Sequence, residues 1–210
     1  MVFLAFVYLI AVEGIDGSGK TTIANFIKEE LLKLGIPAVV LKEPTDGKYG
    51  KIIKESEKRF DPEKELELFI LDRKEDVEKN ILPTLNRGIS VVMDRYYYSS
   101  VAYQGARGLD PEEILKMNES IAPVPDLTII LDVDPEIALK RIENRKKLTP
   151  FEDLDYLKKV REIFLSIKRP EIRVVDASRS LDDVKDEVIY HVLELLSSRG
   201  SFLELRLRRT

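Results

Sequence analysis

The segment Gly14-Ile15-Asp16-Gly17-Ser18-Gly19-Lys20-Thr21-Thr22 carries the clearest chemistry in the chain. It matches G-x-x-x-x-G-K-[ST], follows an apolar run and opens a helical pattern, the two contexts the motif requires. Glycines let the backbone curl around an anion, so that successive N–H groups and a helix N-terminus point at phosphate oxygens. Lys20 then reaches the β and γ oxygens, and the Thr21 hydroxyl takes a Mg²⁺ position. The competing reading is a glycine-rich strand-to-helix turn without a ligand. The loop specifies a nucleoside triphosphate but not its base, and no Asn/Thr-Lys-x-Asp segment supports guanine.

A second cluster follows the third apolar run, in Val91-Val92-Met93-Asp94-Arg95-Tyr96. In an open parallel sheet, residues just past the carboxyl ends of strands face the ligand crevice. There Asp94 suits a Mg²⁺-bound water, and the planar fork of Arg95 suits a second phosphate. A surface Asp-Arg pair is the alternative. Upstream, Leu66, Phe69, Ile70, Arg73, Val77 and Ile81 fall on one helical face with Arg73 inside the stripe. A buried guanidinium without a partner is costly. Arg73 therefore meets Asp72 or another carboxylate, or lines a cleft where it meets a ligand. Phe69 lies one turn away, so an aromatic face and an arginine together would recognise a planar base, although for Phe69 by itself core packing is the reading the sequence favours. The run Tyr96 to Gly105 places four tyrosines, two serines and Gln104 together, suiting a nucleobase and sugar or an aromatic interface.

The elements that must position these groups follow from length and pattern. At 210 residues and 24.1 kDa the chain supports one compact domain, expected over residues 1–197, with a tail at 198–210. Its 44% hydrophobic and 34% charged content excludes wholesale disorder and a membrane bundle. A net charge of −4 argues against a non-specific nucleic-acid or acidic-membrane binder, so any anion site is locally built. The lack of cysteine removes thiolate chemistry, and His191 stands alone. The apolar start, Met1 to Val12, has no basic leader and runs straight into the glycine loop, which reads as a buried strand of a cytoplasmic protein. Strands are expected at Ala5 to Val12, Ala38 to Leu41, Ser90 to Met93, Leu127 to Leu131 and Arg173 to Val175. Helices are expected at Lys20 to Leu34, Pro62 to Leu85, Pro111 to Ser120, Pro135 to Asn144, Leu154 to Ile167 and Leu181 to Ser197. The alternation predicts a doubly wound α/β sheet. The stretch Arg145 to Asp153 reads as a loop, and the tail as an edge strand, a frayed end or added sequence.

In these residues the chain resembles the thymidylate kinase family of P-loop nucleoside monophosphate kinases. The resemblance rests on the glycine loop with Asp16, Glu43-Pro44, Leu71-Asp72-Arg73, and Asp94-Arg95-Tyr96 with Ser99-Ser100-Val101-Ala102-Tyr103-Gln104-Gly105. Pro125-Asp126-Leu127, Leu131-Asp132-Val133 and Asp176-Ala177 complete it, in order, from about Ile10 to Leu196. It implies a three-layer P-loop NTPase fold with a five-stranded parallel sheet, Mg²⁺-dependent transfer of the ATP γ-phosphate to dTMP, and a homodimer. It further implies that Asp16 contacts the acceptor sugar, Arg95 the acceptor phosphate and Arg73 the thymine, with Phe69 stacked on the base. Ser100 and Gln104 would line the thymine pocket and Tyr103 would crowd a ribose 2′-hydroxyl. Rival readings are a kinase of another nucleotide or nucleoside, and a P-loop ATPase with no small acceptor. Two departures stand out. Lys42 and Thr45-Asp46-Gly47 replace the family's usual Arg and Gly-Gly-Thr around Glu-Pro. The lid, about residues 145–153, has Thr149-Pro150-Phe151-Glu152 where members with Gly at the place of Gly17 carry an arginine, which makes Arg145 the expected catalytic substitute, ahead of Arg141, Lys146 and Lys147.

Overall fold

The computed structural model describes residues 7–56, 58–143 and 153–207. Five strands form one sheet: β1 (Leu9–Glu13), β2 (Ala38–Lys42), β3 (Ser90–Asp94), β4 (Leu127–Asp132) and β5 (Ile172–Asp176). They lie in the order β2-β3-β1-β4-β5, all parallel. Ile10 faces Val92 on one side and Leu127 on the other, so β1 is central and every one of its residues is buried. This is why its sequence is unbroken Leu-Ile-Ala-Val with no polar alternation.

The helices are α1 (Lys20–Lys33), α2 (Lys48–Glu55), α3 (Pro62–Asp76), α4 (Leu82–Asn86), α5 (Tyr97–Gly105), α6 (Pro111–Glu119), α7 (Pro135–Glu143), α8 (Leu154–Ser166) and α9 (Leu181–Leu207). They flank the sheet: α1 and α9 pack together along it, while α5 packs with α3, α6 and α8. No helix among the described residues is long and apolar enough to cross a membrane.

All five expected strands are present, and β1 begins at Leu9 rather than Ala5; residues 1–6 lie outside the described ones. The single helix expected over Pro62 to Leu85 widens into a π turn at Val77–Ile81 before α4. Pro83 follows one residue later, and proline has no N–H to give and no room for the carbonyl one turn back, so the backbone opens ahead of it. Two helices, α2 and α5, were not expected. The first has an apolar stripe too short to stand out, and the second reads as a polar tyrosine cluster until its burial is known. The tail is no edge strand, because α9 runs on to Leu207. The expected lid falls outside the described residues, apart from Asp153, which caps α8 by accepting from the Tyr156 N–H at 2.9 Å.

Between β2 and α2 the chain must turn sharply, and Asp72 of α3 fixes that turn. Its carboxylate accepts from the Thr45 N–H at 2.8 Å and the Thr45 hydroxyl at 2.6 Å. Gly50 lies against the same turn, where an added Cβ would stand 2.1 Å from the Thr45 carbonyl oxygen. Gly50→Ala should therefore destabilise the fold by about 1–3 kcal/mol through overpacking. Equilibrium denaturation would show a lower midpoint at unchanged slope; an unchanged midpoint would mean the turn has slack.

Candidate active site

The phosphate loop leaves β1 and enters α1 with no room for side chains at two glycines. Gly14 has φ +136° and a Cβ there would lie 2.6 Å from the Leu131 carbonyl oxygen; Gly17 has φ +82° and its Cβ would lie 2.3 Å from that of Ala138. The loop is thus pressed against β4 and α7 and shows its backbone to the crevice. Gly19, at φ +98°, caps α1 without a side-chain acceptor, so the first-turn N–H groups are left to other partners. The Ser18 hydroxyl oxygen is buried and unpaired. Lys20 is buried, donates to the Ile15 carbonyl at 2.8 Å across the loop, and stands 3.8 Å from Asp16. Burial and the Arg95 cation push its amine down to about 8 against the pull of Asp16, Asp94 and Glu13.

Beside the loop, the Thr21 hydroxyl donates to Asp94 Oδ2 at 2.5 Å, and Lys42 lies 3.3 Å from the same oxygen. Asp94 Oδ1 is buried with no partner. A hydroxyl and a carboxylate with a spare oxygen are the hard donors that Mg²⁺ takes, so Thr21 and Asp94 fit the metal position expected of them.

A cavity of about 360 Å³ opens at the same edge of the sheet, and Asp16, Arg95 and Tyr103 line the end nearest the loop. Arg95 sits at φ +72°, and its guanidinium hydrogen-bonds Asp16, reaches the Ser99 hydroxyl at 3.3 Å and lies over the Tyr103 ring at 5.2 Å. Burial alone would raise the Asp16 pKa, but Arg95 and Lys20 outweigh it and hold the carboxyl at about 2. The Tyr103 hydroxyl accepts from the Asp16 N–H at 3.1 Å. The turn that carries Arg95 is tied to β1 by Glu13, which accepts from the N–H groups of Tyr96 at 2.9 Å and Ser99 at 3.0 Å and from the Ser99 hydroxyl at 2.5 Å. Burial pushes the Glu13 carboxyl up against those donors and Arg95.

Phe69, Arg73, Ser100 and Gln104 line the other end. Arg73 is 1% exposed, yet it is neither partnered by Asp72 nor left for a ligand alone. It donates to Glu43 at 2.5 Å, to Ser100 at 3.2 Å and to the Asn118 side-chain carbonyl. Burial raises the Glu43 carboxyl to about 8 against the pull of Arg73. Phe69 is half-buried and turned to the cavity, so the plain core-packing reading does not describe it. The structure therefore brings together Asp16, Lys20, Thr21, Asp94, Arg95 and Tyr103 at one end and Phe69, Arg73, Ser100 and Gln104 along the rest. Arg145, Lys146 and Lys147 lie outside the described residues, and Arg141 donates to the Ala177 carbonyl at 3.0 Å. Sequence reasoning missed Glu13, Glu65 and Asn118 as parts of the site. It quoted Glu43 without giving it a role, although Lys-Glu-Pro at the end of a strand was a signal.

A five-stranded parallel sheet with this loop at the carboxyl edge of its central strand defines a P-loop nucleotide-binding protein. Residues 12–188 match the model of the thymidylate kinase family. A probable thymidylate kinase of Archaeoglobus fulgidus is 61% identical over 180 residues, covering 86% of this chain and 92% of the relative. A thymidylate kinase of Xylella fastidiosa is 42% identical over 96% of this chain and 98% of its own length, and a probable thymidylate kinase of Pyrobaculum calidifontis 44% identical over 90% and 97%. The chain belongs to the thymidylate kinase family, and it is a phosphotransferase of the nucleoside monophosphate kinase class.

The depressed Lys20 amine is directly measurable. Lysine side-chain NMR should show one amine titrating near pH 8, well below an ordinary lysine, and Asp16→Asn should lower it further because the carboxylate pulls it upward. A Lys20 resonance titrating with the surface lysines would remove the electrostatic account of the loop.

Proposed function

We propose that the protein transfers the γ-phosphate of ATP to dTMP, giving dTDP, with Mg²⁺, as a cytoplasmic homodimer. The observation that carries this reading is that the phosphate loop and the 360 Å³ cavity share Asp16 beside Arg95, so donor and acceptor phosphates meet in one place. An acceptor phosphate dianion is itself the nucleophile, so the protein needs no histidine or cysteine base and contributes positioning and charge. Thr21 and the spare oxygen of Asp94 would hold the magnesium, whose charge would offset that of the phosphate oxygens. The loop N–H groups and Lys20 grip the β and γ oxygens of the donor, Lys20 exchanging the Ile15 carbonyl for phosphate.

On the acceptor side Arg95 turns its fork to the dTMP phosphate and Asp16 accepts from the sugar hydroxyl. Phe69 stacks on the thymine and Arg73 donates to it, already oriented by Glu43 and Asn118. Ser100 and Gln104 close the base pocket, and the Tyr103 ring occupies the space of a 2′-hydroxyl. Arg145 is the proposed cation over the transferring group. The groove between α3 and α6 is lined by Leu66, Ile70, Leu71, Leu109, Ile114 and Met117 together with Glu63, Glu67, Asp110 and Glu113, and its apolar part is the surface we assign to the dimer contact.

A coupled ADP-release assay over a panel of nucleoside monophosphates tests the reading. It should show turnover that requires an acceptor and prefers dTMP; acceptor-independent turnover or a preference for dCMP would overturn it. Arg95→Ala should raise the KM for dTMP while leaving that for ATP little changed, and equal effects on both would place Arg95 in a purely structural pair. Tyr103→Ala should narrow the preference for deoxyribose over ribose acceptors by about ten- to two-hundred-fold. The check is the dTMP to ribothymidine monophosphate ratio in variant and parent.

A further inference from the structure

Gln104 is 1% exposed and lines the cavity, and its two amide ends are treated differently by the fold. Its Nε2 donates to Glu65 Oε2 at 2.9 Å. Its Oε1 is buried without any partner. Glu65, on α3, is itself 1% exposed and is held on three further sides: Arg59 donates to both carboxylate oxygens, at 3.1 and 2.7 Å, and Arg107 lies 3.1 Å from Oε2. Burial alone would raise the Glu65 pKa, but the Arg59 and Gln104 hydrogen bonds and the two guanidinium charges outweigh it and hold it below the usual range. An ionised carboxylate accepts and cannot donate. It therefore takes only the NH₂ end of the Gln104 amide, which leaves the buried carbonyl oxygen, in a residue that lines the cavity, as the end without a partner.

We propose that Glu65 is a positioning residue that fixes the orientation of the Gln104 amide and thereby makes the cavity selective for a pyrimidine with an imide edge. The inference rests on the proposed function above and names the residue behind its base preference. Arg73 can only donate and the fixed Gln104 carbonyl can only accept, so together they match a base carbonyl beside a ring N–H. Thymine and uracil present that pair. Cytosine presents an amino group and a bare ring nitrogen at the same two atoms, which sets donor against donor and acceptor against acceptor. A free glutamine would simply turn over and accept either base. The Glu65 carboxylate removes that freedom, and Arg59 and Arg107 keep the carboxylate ionised.

The test is the ratio of kcat/KM for dTMP to that for dCMP in the parent and in Glu65→Gln, whose side chain offers Gln104 a donor or an acceptor. The ratio should fall about tenfold or more, mainly through dCMP gaining, because an unpaired polar contact no longer opposes it. A merely structural Glu65 would lower melting temperature and depress both acceptors in parallel; an unchanged ratio in a folded variant overturns the proposal. A parent that prefers dCMP overturns the thymidylate reading and this inference with it, whereas a parent that prefers dTMP with no loss in the variant overturns the inference alone. If the variant does not fold, the native protein serves, since Gln104 is the only glutamine in the chain and selective labelling gives one side-chain signal. Adding dTMP should shift its carbonyl carbon and leave its two amide protons well separated. A shift of the amide protons with a still carbonyl would overturn the assignment.

Discussion

The hydrogen-bonded ion pair of Arg95 with Asp16 joins the two halves of the site, one residue coming from the turn after β3 and the other from the phosphate loop after β1. It forms only because β1 and β3 are neighbours in register, Val12 beside Asp94, which brings their carboxyl ends level. Glu13 completes the arrangement from below by gripping the first turn of α5, so the position of Arg95 is set by backbone hydrogen bonds rather than by the long side chain itself. A displaced β1 would move the donor site, the acceptor site and the pair between them at once.

That constraint explains an unusual concentration of buried charge. Glu13, Lys20, Glu43, Glu65, Asp72, Arg73 and Asp94 are all nearly inaccessible, and they sit at or beside one edge of the sheet. Buried pairs offer little net stability over apolar packing, and breaking one is costly. The stability of the fold comes instead from the apolar core that β1, β3 and β4 build with α1, α5, α8 and α9. The charges use that rigidity, and their pairing leaves chosen atoms unspent, as in Asp94 Oδ1 and Gln104 Oε1.

The sheet was legible because two-sided burial writes itself as unbroken apolar runs, and each expected strand came within a residue or two of its observed carboxyl end. The glycine loop was equally plain, since steric demands at Gly14 and Gly17 leave few other residues possible. What sequence hid were partnerships across elements. Nothing in local spacing says that Arg73 will meet Glu43 from thirty positions away, or that Asp72 will turn from it toward Thr45. Glu65 reads as one more solvated charge on a helix rich in them until α5 is known to lie against it. The π turn was hidden for a related reason: Pro83 announces trouble in a helix without saying whether the chain will break or widen.

The parallel order of the strands also sets a timetable for the nascent chain. β1 is made first, yet its partners begin at Ser90 and Leu127, and Ile10 waits for a residue 117 positions further on. Contacts of such range close slowly. At roughly 5–20 residues per second on the ribosome, the Leu-Ile-Ala-Val segment waits for β3 and then, with one edge still open, for on the order of ten seconds in all before β4 emerges. The strand that centres the catalytic edge is thus also the one most exposed to aggregation during synthesis, and a chaperone acting on this protein would find its binding segment in β1.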